Sequence, residues 1–149
     1  MRFFYWKTLR AVAVFVCVAF SLCVATVARV SQVCRFSAIE GERTFYLYSA
    51  SSQAIRKNTL TLRDCLFVKG ESVQFFHGGE DAGAVAERIA RAYGATIKYT
   101  ETACGTISYY AYVPNGWESV TLNGARINLH IAVNGEVCAV GTPVIFGGF

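Results

Sequence analysis

TISYYAYVPNGWESVTLNGARINLHIAVNGEVCAV, residues 106–140, carries three Asn-Gly pairs set between short alternating runs. Asn followed by Gly suits a two-residue hairpin turn, because both central residues of such a turn need positive φ. Asn123-Gly124 and Asn134-Gly135 therefore predict hairpins, and Asn115-Gly116, after Pro114, ends the strand before it. Strands are expected over 106–113, 119–122, 126–133 and 136–140, with a last extended piece at 144–146. Upstream, a strand at 96–100 joins this set through a loop, Thr102-Ala103-Cys104-Gly105. Strands joined by such short turns lie antiparallel.

Alternation sorts the strand at 126–133 into two sides. Ile127, Leu129, Ile131 and Val133 share one, and Arg126, Asn128, His130 and Ala132 share the other. One apolar and one polar side is the pattern of a sheet wetted on one face.

Residues 80–93 change period. Ala82, Val85, Ala86, Ile89, Ala90 and Tyr93 recur at three and four, which gives a helix one apolar face. Glu80 and Asp81 stand in its first turn, Arg88 and Arg91 towards its end, and Gly94 supplies a left-handed stop. Val85 and Ile89 should meet the apolar side of strand 126–133. Further upstream, 44–48 reads as a strand, 49–53 as a polar loop, and 55–58 as an extended lead-out. Residues 60–76 read as one bent strand or two short ones, broken at Gly70. The fold class is α+β: an antiparallel β-meander sheet with one helix packed on one face, preceded by a single N-terminal transmembrane helix.

That first helix is read from residues 11–28, eighteen residues without a charge. At about 1.5 Å per residue they span roughly 27 Å, close to the hydrocarbon thickness of a bilayer. The competing reading is a cleaved secretory signal, with Thr26-Val27-Ala28 as the cleavage site. A signal core is usually about 7–15 apolar residues, so the length favours a retained anchor. Arg2, Lys7 and Arg10 precede the run with no acid among them, which places the N-terminus in the cytoplasm and the body outside it. Residues 1–35 form the anchor or signal with a short linker, and 36–149 an extracytoplasmic domain; if the segment is cleaved, the domain is secreted.

The formal charge of +4 belongs to the anchor and its flanks. From 36 to 149 nine basic residues stand against all ten acids, a balance of −1. A nucleic-acid binder needs clustered Lys and Arg to displace counterions, and no nucleic-acid partner is expected. Cys17 and Cys23 fall inside the apolar run as small apolar residues. Cys34, Cys65, Cys104 and Cys138 lie beyond it, where disulfides are permitted; three full pairings are open, and so are reduced thiols tucked into strands. Their wide spacings, with no CxxC or Cys/His pair, argue against a metal site, and no cofactor is expected.

Catalytic candidates are thin. Gly78-Gly79-Glu80-Asp81 is explained by a turn with acids at a helix start. Cys104 with His77 or His130 would make a nucleophile pair only if the fold brought them together. The densest aromatic patch is Tyr109, Tyr110 and Tyr112, with Tyr110 and Tyr112 on one face and Tyr109 on the other. Tyr110 and Tyr112, near Arg126, Asn128 and His130, offer a surface for a glycan ring or a peptide, and Trp117 is a further contact in a loop. The plain alternative is that these rings only cover the sheet.

From Cys65 to Phe149 the chain resembles the C-terminal half of the YwmB-like proteins of Gram-positive, mostly spore-forming bacteria. The matching pieces are Val68-Lys69-Gly70-Glu71, Ile89-Ala90-Arg91-Ala92-Tyr93, Ile107-Ser108-Tyr109-Tyr110-Ala111-Tyr112-Val113-Pro114, Ile127-Asn128-Leu129 and Val140-Gly141-Thr142-Pro143-Val144-Ile145. The resemblance implies an α+β domain likened to the saddle of the TATA-box binding protein, in an envelope protein of unknown activity linked to sporulation. The chain has no room for a second α/β half, and a shared fold does not carry DNA binding with it. The function expected is a membrane-anchored interaction module of the cell envelope without catalytic activity, whose partner is an envelope protein or wall polymer. Alternatives are an envelope enzyme acting on wall or peptide substrates and, disfavoured, a DNA-binding saddle.

Overall fold

A computed structural model of the protein describes residues 2–48, 54–114 and 117–146. The loop expected at 49–53 and the Asn115-Gly116 turn lie outside the described residues. The chain divides into two compact units, Met1–Cys34 and Arg35–Phe149.

The first unit is one helix, α1 (Arg2–Val33). Within it Thr8–Val33 is long and apolar enough to cross a membrane, by length and composition. Phe15 and Phe20 stand outward, 75% and 70% exposed, so the apolar surface has no protein cover along that stretch. The hydroxyls of Ser21 and Thr26 donate to the carbonyls of Cys17 and Leu22, each at 2.8 Å. Both polar groups are thereby satisfied within the helix.

The body contains β1 (Glu42–Leu47), β2 (Ile55–Lys57), a 3-10 turn (Asp64–Leu66), β3 (Val68–Phe76) and α2 (Ala82–Ala92). It continues with β4 (Thr96–Ala103), β5 (Thr106–Tyr112), β6 (Val120–Leu122), β7 (Ala125–Ile127), β8 (Leu129–Asn134) and β9 (Val137–Thr142). Seven strands form one sheet in the order β2-β1-β3-β9-β8-β5-β4, with every pair antiparallel, and β6 and β7 make a separate ribbon. The α+β class, with one helix on an antiparallel sheet, is as expected.

Neighbours in the sheet are out of chain order at β1/β3, β3/β9 and β8/β5. Helix α2 carries the chain from β3 to β4 at the far edge, and β9, β8 and β5 fill the space between. Four strand spacings amount to about 19 Å. A helix of eleven residues reaches roughly 16 Å, and the turns at its ends supply the rest. The helix starts later than its acids suggest. Asp81 is its N-cap, accepting from the Ala84 N–H at 3.1 Å, and Gly94 ends it at φ 62°.

Two hairpin turns place both central residues at positive φ: Asn123 and Gly124 (48° and 76°), and Cys104 and Gly105 (50° and 78°). The four-residue loop expected at 102–105 is therefore a two-residue turn. Cys104 takes a conformation that Asn usually fills, which is why composition gave no signal for it.

Val85, Ala86 and Ile89 of α2 pack on Leu129, Ile131 and Val133 of β8, with Val73, Ala111, Phe36, Cys138 and Val140 around them. Ile127 is fully buried but stands outside that cluster. The strand expected over 126–133 bends at Asn128, and β7 ends there. Gly70 lies within the single strand β3, at a register shift against β1 where Tyr46 faces Gly70 and Leu47 faces Val68. A Cβ there would sit 2.8 Å from the Phe146 ring, so glycine makes room for the C-terminal segment.

Candidate functional site

On the sheet face turned away from α2, strand register sets a row of rings. Tyr99 of β4 opposes Tyr110 of β5, and Tyr110 opposes His130 of β8. Tyr99 and Tyr110 stack at 4.5 Å and 22°, and Tyr110 and His130 at 4.5 Å and 11°. Stacking of this kind makes a stiff row in which both faces of Tyr110 are covered by its neighbours, since no ring can turn without losing a partner. Tyr109 goes to the other face, against the helix-side core.

Tyr112 extends the row along β5. Arg126 places its guanidinium 5.3 Å from the Tyr112 ring centre, and Lys98 its ammonium at 5.9 Å. Arg126 is steadied by Ser119, whose Oγ accepts from Nε at 2.7 Å. Neither Lys98 nor Arg126 has a carboxylate within ion-pair distance among the described residues. The nearby Glu101 accepts from Asn123 Nδ2 at 2.8 Å, which ties the β6–β7 turn to β4.

The sequence-derived residues part company here. Tyr110, Tyr112 and Arg126 share the aromatic face. Trp117 does not: it packs edge-on to Phe36 at 5.8 Å and against Tyr93 at 5.6 Å, with the Arg35 guanidinium 5.1 Å above its ring. Both aromatic partners belong to the helix side, and burial of a large ring there outweighs its place in a loop. Asn128 is fully buried, not a member of the open face. Its Oδ1 accepts from the Val113 N–H at 2.7 Å, and its Nδ2 donates to the Val113 carbonyl at 2.8 Å and to the Trp117 carbonyl at 3.5 Å.

His130 is on the aromatic face but roofed. Residues 143–146 cross beneath the sheet, with Ile145 over Gly141 and Phe146 over Gly70 and Tyr46. Ile145 donates its backbone N–H to His130 Nδ1 at 3.3 Å, so the imidazole proton belongs on Nε2. Burial pushes the His130 pKa down to about 4, and the ring is neutral near neutral pH. The second sheet face is thus covered beneath β9 and β3, and at β4 and β5 the β6–β7 ribbon lies over part of it, leaving Tyr99, Tyr110 and Tyr112 half-buried.

A polar cluster on the helix side had no signal in the sequence. Glu71 of β3 is 1% exposed, and its Oε2 accepts from the backbone N–H of Arg35 at 2.7 Å and of Phe36 at 3.3 Å. Arg43 Nε stands 3.0 Å from Glu71 Oε1, an ion-pair contact too bent to count as a hydrogen bond. Arg43 also donates to the Phe36 carbonyl at 3.0 Å, and Arg35 to Thr142 Oγ1 at 3.1 Å. Burial raises the Glu71 pKa more than the two N–H groups and two guanidinia lower it. No substrate reaches a carboxylate this enclosed; it fixes the 35–36 turn to the sheet.

The cysteines and histidines do not converge on one another. Cys138 is fully buried in the core and its thiol is pushed up to about 12. Cys104 is exposed at a hairpin tip and forms no disulfide with it. Six residues separate Cys104 from Tyr110, the strand partner of His130, which is about 20 Å along a strand. Cys65 is buried beside Thr61, to whose carbonyl its thiol donates at 3.4 Å. His77 Nε2 is 2.8 Å from the Gly135 carbonyl, a contact that closes the β3 and β8–β9 ends. Among the described residues no group of three or more His, Cys, Asp or Glu is placed to hold a metal ion. No family model, curated protein or solved structure matches the chain.

Proposed function

We propose that the protein is a membrane-anchored interaction module of the cell envelope. In this reading α1 spans the membrane with its N-terminus in the cytoplasm, and the body outside binds a wall polymer or envelope protein. The observation that carries it is Tyr112, beyond the stacked Tyr99 and Tyr110, with Lys98 and Arg126 over its ring and neither cation within ion-pair distance of a carboxylate among the described residues. The half-buried rings offer their edges for apolar contact, and the cations beside them suit carboxylate or phosphate groups along a wall polymer. The envelope setting and a link to sporulation come from the sequence resemblance to YwmB-like proteins alone.

The enzyme alternative needs convergent acids or a Cys–His contact, and the separation of Cys104 from His130 weighs against the second. The DNA-binding alternative needs a basic face, and the −1 balance of residues 36–149 weighs against it. The test is co-sedimentation of the detergent-solubilised full-length protein with purified cell-wall sacculi. Retention that falls on Tyr112→Ala supports the reading; no retention of the unaltered protein overturns the wall-polymer form of it.

A further inference from the structure

We infer that a second surface of the body, where the end of β1, the β2 edge and the turn before β3 meet, docks on an anionic lipid surface. Leu62 and Leu66 stand one helical turn apart and are 70% and 66% exposed. Tyr48, Ile55 and Phe67 flank them at 65%, 50% and 48%. These residues form one corner: the Tyr48 N–H donates to the Phe67 carbonyl at 2.8 Å, and Leu47 pairs with both Ile55 and Val68.

The outward leucines are held there by polar contacts beneath them. Asp64 Oδ2 accepts from the Thr61 N–H and hydroxyl at 3.0 and 2.8 Å, while Thr61 Oγ1 accepts from the Asp64 N–H at 3.3 Å. Lys57 Nζ, 2.7 Å from Asp64 Oδ1, bolts the turn to β2. Cys65 takes the inward position at 7% exposure, so Leu62 and Leu66 have no room to turn inward without dismantling that network.

Charge selects the occupant. Between Tyr48 and Lys69 lie four of the nine basic residues of the body and one of its ten acids, Asp64, which Lys57 neutralises. Arg56 and Arg63 have no acid within ion-pair distance among the described residues, and Lys69 has only the exposed Glu118 at 3.8 Å. Excluding this corner, the body is acidic. Exposed apolar side chains ringed by Arg and Lys are the chemistry of an interfacial membrane contact. A second copy is the poorer occupant, because pairing two such corners sets Arg56 and Arg63 against their own equivalents. Helix α1 makes the contact intramolecular: a body tethered to a bilayer meets its surface at high effective concentration. This inference shares the reading of α1 as a span and is independent of the aromatic face.

The test is hydrogen–deuterium exchange of the full-length protein in lipid nanodiscs, loaded at one copy per disc. Discs of neutral phosphatidylcholine are compared with discs containing about a third phosphatidylglycerol. Amides of 54–69 should exchange at least about tenfold more slowly in the anionic discs, with the difference lost at high salt. The triple variant Arg56→Glu, Arg63→Glu, Lys69→Glu should remove the protection, and Leu62→Asn with Leu66→Asn should reduce it. Exchange of the β4–β5 hairpin serves as the control that each variant is folded. Equal exchange in the two disc types overturns the inference, as does protection that appears only with two copies per disc. Failure of the protein to elute with discs removes both this inference and the span reading, whereas sacculus binding by the aromatic face is measured separately.

Discussion

Asn128 grips Val113 by both ends of its backbone, accepting its N–H at 2.7 Å and donating to its carbonyl at 2.8 Å. The side-chain amide acts as a substitute peptide at the point where β7 gives way to β8. It satisfies the backbone just past β5, and so lets the β6–β7 ribbon leave the sheet without stranding buried polar groups. Asn128→Ala should therefore lower unfolding stability by about 2–3 kcal/mol, since two buried backbone groups lose their partners. Chemical denaturation followed by Trp117 fluorescence measures this, and a loss below about 0.5 kcal/mol would contradict the role assigned to the amide.

Glu71 predicts a graded pair of variants. Glu71→Ala leaves Arg43 beside an empty site and frees two backbone N–H groups, and should cost about 3–5 kcal/mol. Glu71→Gln keeps an acceptor for the Arg35 and Phe36 N–H groups while removing a charge that burial disfavours, so it should cost less. Equal losses for the two variants would show that the carboxylate charge, not its hydrogen bonding, holds the turn.

His130 predicts acid sensitivity. Its pKa is about 4 in the folded chain against 6.5 for the free side chain. Above pH 6.5 neither state is protonated and the residue adds no pH dependence. As pH falls from 6.5 towards 4 the unfolded chain takes up a proton that the folded chain refuses, and stability declines by up to about 3 kcal/mol. His130→Gln should flatten that slope between pH 6.5 and 4, and denaturation midpoints across this window provide the check.

For the aromatic face, Tyr112→Ala and Arg126→Ala should each reduce sacculus retention by about tenfold or more, as central contacts do, while Trp117→Phe leaves it unchanged. Trp117 is the informative control because it lies with Phe36 and Tyr93 on the opposite side.

Periodicity made α2 and the hairpins legible. Val85 and Ile89 meet Leu129, Ile131 and Val133, and Asn123-Gly124 turns where composition puts a turn. What alternation cannot convey is hydrogen bonding: Asn128 falls on the polar side by count, yet its amide is drawn inward by Val113. Nor does a pattern show what crosses a sheet: Gly70 also accommodates Phe146, and His130 reads as open when Ile145 covers it. A loop position says nothing about which side a ring packs on, and Trp117 packs with Phe36 and Tyr93. Net charge hid a division, with a basic corner at 48–69 offset by acids elsewhere in the body. Glu71 is a single acid in a strand, and nothing local distinguishes it from a solvated one.

The account stands on α1 crossing the membrane and holding the body outside the cytoplasm. An epitope joined after Phe149, probed with protease on intact cells, tests that directly. Digestion of the epitope in intact cells, with the protein in the membrane fraction, is the predicted result. An epitope protected until the cells are lysed, or a protein recovered in the soluble cytosolic fraction, would contradict it.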